Sequence, residues 1–350
     1  MSAPWAPVPS PRPEPVTASL QRTPVAFPPV LNGLDYLDSV VSHLSDDEEP
    51  DGRDSHPTPR DLKYAVLHLQ AATEVLLKAR LQQAHWTLVV KDPGRASHQK
   101  FTSGDFLSCG TDETLERLRN IVGLELDAQQ LEAVRKLGKT RNALQHYGLT
   151  QSAHAVEAQT ATVLDFLLTF INEHLRPHVP TAEQALVDAS MEGIRHRLHT
   201  ITRLIATRMA GLRETLDACA DTTVHCPECG MAALVAGAPI SCRFCYRQWS
   251  DGEAAAEDYV WGAMVRNVAK DPHDNETPPI HWCPACSAPA LVKATCPLTE
   301  APDYAIHLCL GCAAVFDRLG YCHCGGLLDN RFDETVDFCL DCAKRMATKC

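Results

Sequence analysis

Apolar side chains recur every three or four residues between positions 31 and 220, and this spacing predicts a series of amphipathic helices. In the long second helix, for example, Leu62, Leu69 and Leu76 fall on one face. No strand pattern appears between residues 60 and 220, so an antiparallel helical bundle is the expected architecture. The predicted helices begin at or near Leu31, Arg60, Thr111, Asp127, Ser152 and Thr181.

The segments around these helices have a different composition. Residues 1–30 contain 9 prolines and almost no apolar periodicity, which predicts a disordered, polyproline-like tail. Residues 91–110 are rich in turn-forming residues and are expected to form a loop. Asp127-x-x-Gln130 and Thr181-x-x-Gln184 resemble capping boxes, so each is expected to cap the helix that follows it.

The pattern changes after Thr222, where short apolar stretches alternate with pairs of cysteines. A C-x-x-C turn directs two thiolates at one tetrahedral ion, and a second turn across a hairpin completes the site. Three structural zinc ribbons are therefore predicted, with four cysteines on each Zn²⁺. The ligands are Cys226, Cys229, Cys242 and Cys245 in the first ribbon, Cys283, Cys286, Cys309 and Cys312 in the second, and Cys322, Cys324, Cys339 and Cys342 in the third.

Two alternatives to this arrangement stay open in the sequence. The pairs are also compatible with redox dithiols or unpaired core cysteines, and the zinc ligands can pair sequentially or as a cross-brace. Four further cysteines have no partner in the pattern and are expected to be free thiols: Cys109, Cys219, Cys296 and Cys350.

Taken together, the patterns predict an α-helical region followed by small zinc-ribbon modules with short β hairpins. The expected boundaries are a disordered proline-rich tail at 1–30, a helical bundle at 31–180, a long connecting helix at 181–221, zinc ribbon 1 at 222–250, a linker that includes a helix at 251–280, zinc ribbon 2 at 281–315 and zinc ribbon 3 at 316–350.

Net charge and the pattern of targeting signals exclude some classes of binding partner. The net charge is −12, and residues 221–350 carry −7 of it, from 10 basic and 17 acidic residues. Broad nonspecific binding to duplex nucleic acid is therefore not expected. No signal peptide or apolar stretch of membrane-spanning length is recognisable, so we expect no membrane partner. Many cysteines without a secretion signal favour reduced thiols and a cytoplasmic location.

The residues with the clearest chemical potential lie at the end of the helix that begins near Asp127. Arg141, Asn142 and His146 form the pattern R-N-x-x-x-H, and Asn142 and His146 fall on the same helix face. A guanidinium, an amide and an imidazole suit a phosphodiester. The simpler interpretation is that two cationic side chains favour the negative end of the helix dipole.

The first half of the chain resembles the HEPN superfamily (higher eukaryotes and prokaryotes nucleotide-binding). The resemblance covers residues 31–180 and rests on a long helix followed by the helix-borne Arg141-Asn142-x-x-x-His146. The residues of the long helix that carry it are Ala71, Ala72, Glu74, Leu77 and Lys78. It implies an up-and-down bundle that forms a homodimer with its motif helices facing each other. Many members are metal-independent endoribonucleases of toxin and defence systems.

By this resemblance RNA is the expected substrate. Arg141 would hold the scissile phosphate, Asn142 would position it, and His146 would transfer the proton, leaving a 2′,3′-cyclic phosphate. One branch of toxins places a tyrosine two residues after the histidine, whereas Tyr147 follows His146 directly here.

The competing interpretation is a non-catalytic HEPN-like scaffold whose acidic ribbons bind a protein partner. In either case Trp249, Trp261, Trp282 and Tyr321 are expected to pack the small ribbon cores rather than to stack on bases.

Overall fold

The structure is a computed structural model that describes residues 26–45, 47–48, 54–267, 280–317, 319–322, 327–329 and 342. As expected, it is helical in the N-terminal part and continues into small antiparallel hairpins. Of the tail predicted at 1–30, residues 1–25 lie outside the described residues, and its end is wrong because a helix begins at Pro29. Most of the predicted third ribbon also lies outside the described residues. The helices are α1 Pro29–Leu44, α2 Pro59–Ala84, α3 His98–Ser103, α4 Thr111–Asn120, α5 Ala128–His146, α6 Ala153–Phe170, α7 Thr181–Arg197, α8 Thr202–Asp217 and α9 Gly252–Asn267.

Helix α2 lies at the centre of the bundle and contacts α1, α4, α5 and α6. Its apolar stripe is fully buried, as the spacing of its leucines predicts. Helix α1 crosses it so closely that a Cβ atom on Gly33 would lie 2.5 Å from the Leu76 side chain. Thr58 and Asp61 form a reciprocal capping box that fixes the start of α2.

The two predicted caps have different outcomes. Asp127 caps α5 as expected, because its Oδ1 accepts hydrogen bonds from the backbone N–H groups of Gln129 and Gln130. The prediction that Thr181 caps the following helix is wrong. Helix α7 begins at Thr181 itself, its N-cap residue is Pro180, and no side chain caps it.

The single long helix predicted from Thr181 to about Ala220 is also wrong, because two helices occupy that stretch. A 3₁₀ turn at Leu198–Thr200 and a non-helical Ile201 separate α7 from α8. The apolar positions stay in helical phase across the break, but residues 200–202 are all β-branched and favour a helix poorly. Helix α7 packs against α1 and α8 packs against α6.

The loop predicted at 91–110 contains a short helix of its own, α3, whose Phe101 packs between Trp86 and Phe106. The base of this loop is held by Arg117 of α4. Its guanidinium donates to the carbonyl oxygens of Leu88, Val90 and Lys91 at 2.6, 2.7 and 2.9 Å.

The strands form small antiparallel sheets in sequence order. The strands are β1 Asp47–Glu48, β2 Asp54–Ser55, β3 Thr223–His225, β4 Ala232–Val235, β5 Ser241–Cys242, β6 Ile280–His281, β7 Leu291–Thr295, β8 Ala305–Cys309, β9 Val315–Phe316, β10 Leu319–Tyr321 and β11 Leu327–Asp329. Ribbon 1 contains β3–β4–β5, with Leu234 opposite Cys242, and ribbon 2 contains β6–β7–β8–β9. A further hairpin, β10–β11, lies in the range predicted for the third ribbon.

The helix expected near Ala254 is present as α9, and it packs against both ribbons. A Cβ atom on Gly252 would lie 2.6 Å from the Cα atom of Gly311 in ribbon 2. A Cβ atom on Gly262 would lie 2.5 Å from Pro227 in ribbon 1. One apolar core runs without interruption from the helical bundle into ribbon 1. Within the part of the chain that is described, none of the helices has the length and apolar character to cross a membrane.

Candidate functional site

Ribbon 1 brings its four cysteine sulfurs together in a group that can hold a metal ion. Cys226, Cys229, Cys242 and Cys245 are all buried, and their Sγ atoms lie within 4.8 Å of one another. The Sγ atoms of Cys226 and Cys245 are 3.9 Å apart, and those of Cys229 and Cys242 are 3.7 Å apart. Four sulfurs at about 2.3 Å from a tetrahedral ion are separated by about 3.8 Å. The geometry therefore fits such an ion.

Ribbon 2 forms a second group of the same shape from Cys283, Cys286, Cys309 and Cys312. The Sγ separations are 3.8 Å between Cys283 and Cys312 and 3.7 Å between Cys286 and Cys309. In both ribbons the ligands come from consecutive pairs, so the sequential arrangement is present and the cross-brace is not. Cys286 and Cys312 are exposed, which makes this site more open to solvent than the first.

The four C-x-x-C turns of ribbons 1 and 2 adopt one conformation. The residue after the second cysteine has a positive φ in each: Gly230 at 73°, Tyr246 at 61°, Ser287 at 58° and Ala313 at 60°. Its N–H donates to the carbonyl of the first cysteine, at 2.8 to 3.0 Å. Left-handed backbone is unfavourable for residues other than glycine. Three such residues therefore mark backbone that the surrounding structure, rather than local preference, holds in this conformation.

The thiols of ribbon 1 differ in how easily they ionise. Burial raises the pKa of Cys242 well above its usual value. Burial also opposes ionisation of Cys226, but hydrogen bonds from Cys229, Cys242 and Cys245 bring its pKa well below the usual value. A bound cation reverses such penalties because a coordinated thiol is deprotonated outright.

The third predicted set is only partly described. Cys322 is buried and Cys342 is half-buried, whereas Cys324 and Cys339 lie outside the described residues. A third metal site therefore stays a prediction. Among the four cysteines expected to be free thiols, Cys109, Cys219 and Cys296 are free, and Cys350 lies outside the described residues.

A buried arginine joins ribbon 1 to the bundle. Arg208 of α8 is 3% exposed and forms an ion pair with Asp165 of α6. Its Nε and Nη2 donate to the carbonyl oxygens of Phe244 and Arg243, at 2.5 and 3.1 Å. These two residues lie between the ligands Cys242 and Cys245. The guanidinium also lies 4.5 Å from the centre of the Tyr246 ring.

A second arginine faces the other pair of ligands. Arg195 of α7 is 5% exposed, and its Nε lies 3.6 Å from Oε1 of Glu228. Glu228 lies between Cys226 and Cys229 in the sequence. Burial raises the pKa of Glu228, although the nearby Arg195 opposes that shift. Each half of the first metal site is thus held against a different helix of the bundle.

The predicted catalytic residues lie at the exposed end of α5. Arg141 is half-buried, and Asn142 and His146 are exposed. Arg141 Nη1 donates to Oδ1 of Asn142 at 2.9 Å, so the structure brings these two side chains together. Arg141 and Asn142 line an open groove of about 680 Å³ between α2, α5 and the start of α4, but His146 does not. We name it the α2–α5 groove.

The aromatic residues of the ribbons only partly follow expectation. Trp249 is 8% exposed and its indole N–H donates to Asp258 Oδ2 at 2.7 Å, so it packs as predicted. Trp261 and Trp282 are 75% and 67% exposed, and the expectation that they pack a ribbon core is wrong for both. The side chain of Tyr321 lies outside the described residues.

Sequence reasoning missed the buried polar residues. Arg208 lies in the apolar stripe of α8, between Leu204 and Leu212. Gln70 lies in the apolar stripe of α2, four residues after Val66. A polar residue at a core position is the signal that identifies both.

Comparison with known proteins finds no matching family model, no similar curated protein and no similar solved structure.

Proposed function

We propose that this chain is a HEPN-type, metal-independent endoribonuclease whose ribbons bind structural metal. The observation that carries the proposal is the placement of Arg141, Asn142 and His146 at the exposed end of one helix, with Arg141 at the edge of an open groove. A guanidinium presents a fork that matches two phosphate oxygens. The helical architecture agrees with the fold that the HEPN resemblance implies.

The proposed chemistry requires little of the protein because RNA supplies its own nucleophile, the 2′-OH. His146 takes the proton of the 2′-OH or returns one to the leaving 5′-oxygen, while Arg141 neutralises charge on the phosphate. Asn142 holds the guanidinium through its Oδ1. The bond from phosphorus to the 5′-oxygen breaks as the bond to the 2′-oxygen forms.

The experiment that tests this function uses purified full-length protein and matched strands of RNA and DNA in buffer without added metal. We expect the RNA to be cut and the DNA, which lacks the 2′-OH, to stay intact. Cleavage of both strands, or cleavage of neither at any protein concentration, contradicts the proposal.

A homodimer through the bundle follows from the same site. His146 lies outside the groove that Arg141 lines, and an isologous contact between two α5 ends would place each histidine beside its partner's groove. Tyr147, at 81% exposure, lies at that surface.

We therefore expect Tyr147→Glu to shift the protein from dimer to monomer in sedimentation. The matched control is Leu186→Glu on α7, which is also exposed and should stay dimeric. A wild type that is monomeric at high concentration contradicts the composite site.

We also propose that the metal is zinc and that the third cysteine set binds it as well. Thiolate-only tetrahedral sites are typical of structural zinc and leave no open position for water. Elemental analysis is expected to give three zinc ions per chain, and Cys242→Ser should lower the count by one. One ion or none in the wild type contradicts this proposal.

A second candidate function is a non-catalytic scaffold that binds protein through its ribbons. The observation that favours it is the exposure of Trp261 and Trp282 in a region of net charge −7. Tryptophan is enriched among the residues that dominate protein interfaces. A folded, zinc-loaded dimer that leaves RNA intact would support this function instead.

A further inference from the structure

The α2–α5 groove has a chemistry that a phosphate contact alone does not explain. Gln70 and Glu74, one turn apart on α2, form one wall. Gly138, Arg141 and Asn142 share a face of α5 and form the other. The amide on the first wall matches the edges of nucleobases, whereas the three carboxylates of the lining repel a phosphate.

Gln70 is the unusual member of this set. It is 7% exposed, and its Oε1 atom has no hydrogen-bond partner among the described residues. A buried acceptor without a donor destabilises the folded state. An apolar residue at the same core position would avoid that penalty. Oε1 is shielded from solvent in this conformation. The terminal torsion of glutamine is broad, so a rotation of the amide would bring Oε1 to the groove.

Gly138 lies in the second wall, opposite Gln70, and has no side chain that would narrow the groove there. Glycine within a helix is less favourable than alanine. A Cβ atom on Gly138 would meet only the Gln70 amide, at 3.8 Å from Oε1 and 4.0 Å from Nε2. These are ordinary contacts, so packing does not require glycine here. A side chain at this position would, however, stand between the amide and the groove.

The remaining wall is held in place before any ligand binds. Lys78 Nζ donates to Ser108 Oγ at 2.9 Å and pairs with Oε1 of Glu74. The backbone N–H of Lys91 donates to the carbonyl of Leu107 at 2.8 Å. Arg117 fixes the carbonyls on the inner side of the same segment. The groove is therefore preformed, which favours recognition of a rigid planar group.

We propose that Gln70 is a specificity-determining residue that accepts a hydrogen bond from the exocyclic amino group of a nucleobase seated in the α2–α5 groove. The missing partner of Oε1 is a donor, and the amino groups of adenine, cytosine and guanine are donors. Arg141 lies at the edge of the same groove, so the base would belong to the nucleotide beside the phosphate it holds. This inference rests on the proposed ribonuclease function.

Binding of free nucleotides tests the inference without cleavage. Titration of wild-type protein with AMP, CMP, GMP, UMP and IMP should show about tenfold tighter binding of the three amino-bearing nucleotides. UMP and IMP lack the amino group and serve as matched ligands. Gln70→Leu should reduce the difference to less than twofold, and Gly138→Ala should weaken binding of all three.

Thermal unfolding separates recognition from folding. Gln70→Leu removes a buried unpaired acceptor and Gly138→Ala improves a helix, so both variants should unfold at the wild-type temperature or above it. The matched control is Gln129→Leu, an exposed glutamine in the first turn of α5, which should keep the nucleotide preference.

The outcomes for the two proposals are distinguishable. Equal binding of all five nucleotides, or a preference that survives Gln70→Leu, overturns the role of Gln70 even if RNA is cleaved. A preference that Gln70→Leu removes, in a protein that cleaves no RNA, retains the base site and overturns the ribonuclease.

Discussion

His146→Ala is expected to reduce the rate of RNA cleavage by roughly 10²–10⁴-fold, the usual contribution of acid–base catalysis. Of the three proposed side-chain types, only an imidazole can both accept and donate a proton, because an amide does not take up a proton and a guanidinium offers donors alone. His146 is exposed at the end of α5, so its removal leaves no cavity. The measurement is the single-turnover rate with a defined RNA strand, together with the unfolding temperature.

Arg141 provides a second, independent variant of the same site. Arg141→Lys is expected to lose most activity, because an ammonium lacks the planar fork that grips two phosphate oxygens. The matched controls are His154→Ala on α6 and Lys139→Ala on α5, both exposed and outside the motif. Cleavage that survives both His146→Ala and Arg141→Lys would return these residues to the role of cations at a helix end.

Arg208→Met is expected to lower the free energy of unfolding by about 3–5 kcal/mol, the usual cost of removing one partner of a buried ion pair. Methionine keeps most of the side-chain stem but leaves Asp165 without its guanidinium. It also leaves the carbonyls of Arg243 and Phe244 without a donor. Because both carbonyls lie between Cys242 and Cys245, which belong to the first cysteine group, the loss is expected to reach that candidate metal site as well.

Two measurements check this coupling. Denaturant unfolding reports the loss of stability, and the rate at which a chelator removes zinc from the full chain should rise. Arg213→Met, an exposed arginine on the same helix, is the matched control and should change neither. The double variant Arg208→Met, Asp165→Leu should recover part of the stability, because replacing both charges leaves none unpaired. An Arg208→Met protein of wild-type stability would show that ribbon 1 is not coupled to the bundle.

Helix positions were predictable because burial of one face imposes a period on the sequence. The fully buried stripe of α2 shows this period without interruption. The break between α7 and α8 was not predictable from the same signal. Leu198, Ile201 and Leu204 stay in helical phase, and the backbone of Ile201 leaves the helix without changing which residues are buried.

The metal groups were predictable as residue types but not as pairings. Spacing alone allows a sequential or a cross-brace arrangement, and the strand register decides between them. Leu234 opposite Cys242 brings the second cysteine pair of ribbon 1 to the first. The exposed Trp261 and Trp282 could not be anticipated because composition does not say which face of a small ribbon is covered.

The candidate RNA site was predictable only as a motif. Arg141, Asn142 and His146 follow from their spacing, whereas Gln70 lies far from them in sequence. The packing of α2 against α5 places Gln70 in the groove that Arg141 also lines. A local pattern contains no information about such a long-range neighbour.

The chemical identity of the ends left on a cut RNA tests the central claim most directly. The full-length protein is incubated without added metal with an RNA strand and with the same strand carrying a single 2′-deoxynucleotide at the cut position. The proposed chemistry predicts a 2′,3′-cyclic phosphate and a 5′-OH from the first strand, and no cut at that position in the second. A 3′-OH with a 5′-phosphate, cleavage of the 2′-deoxy position, or a requirement for added Mg²⁺ would contradict it.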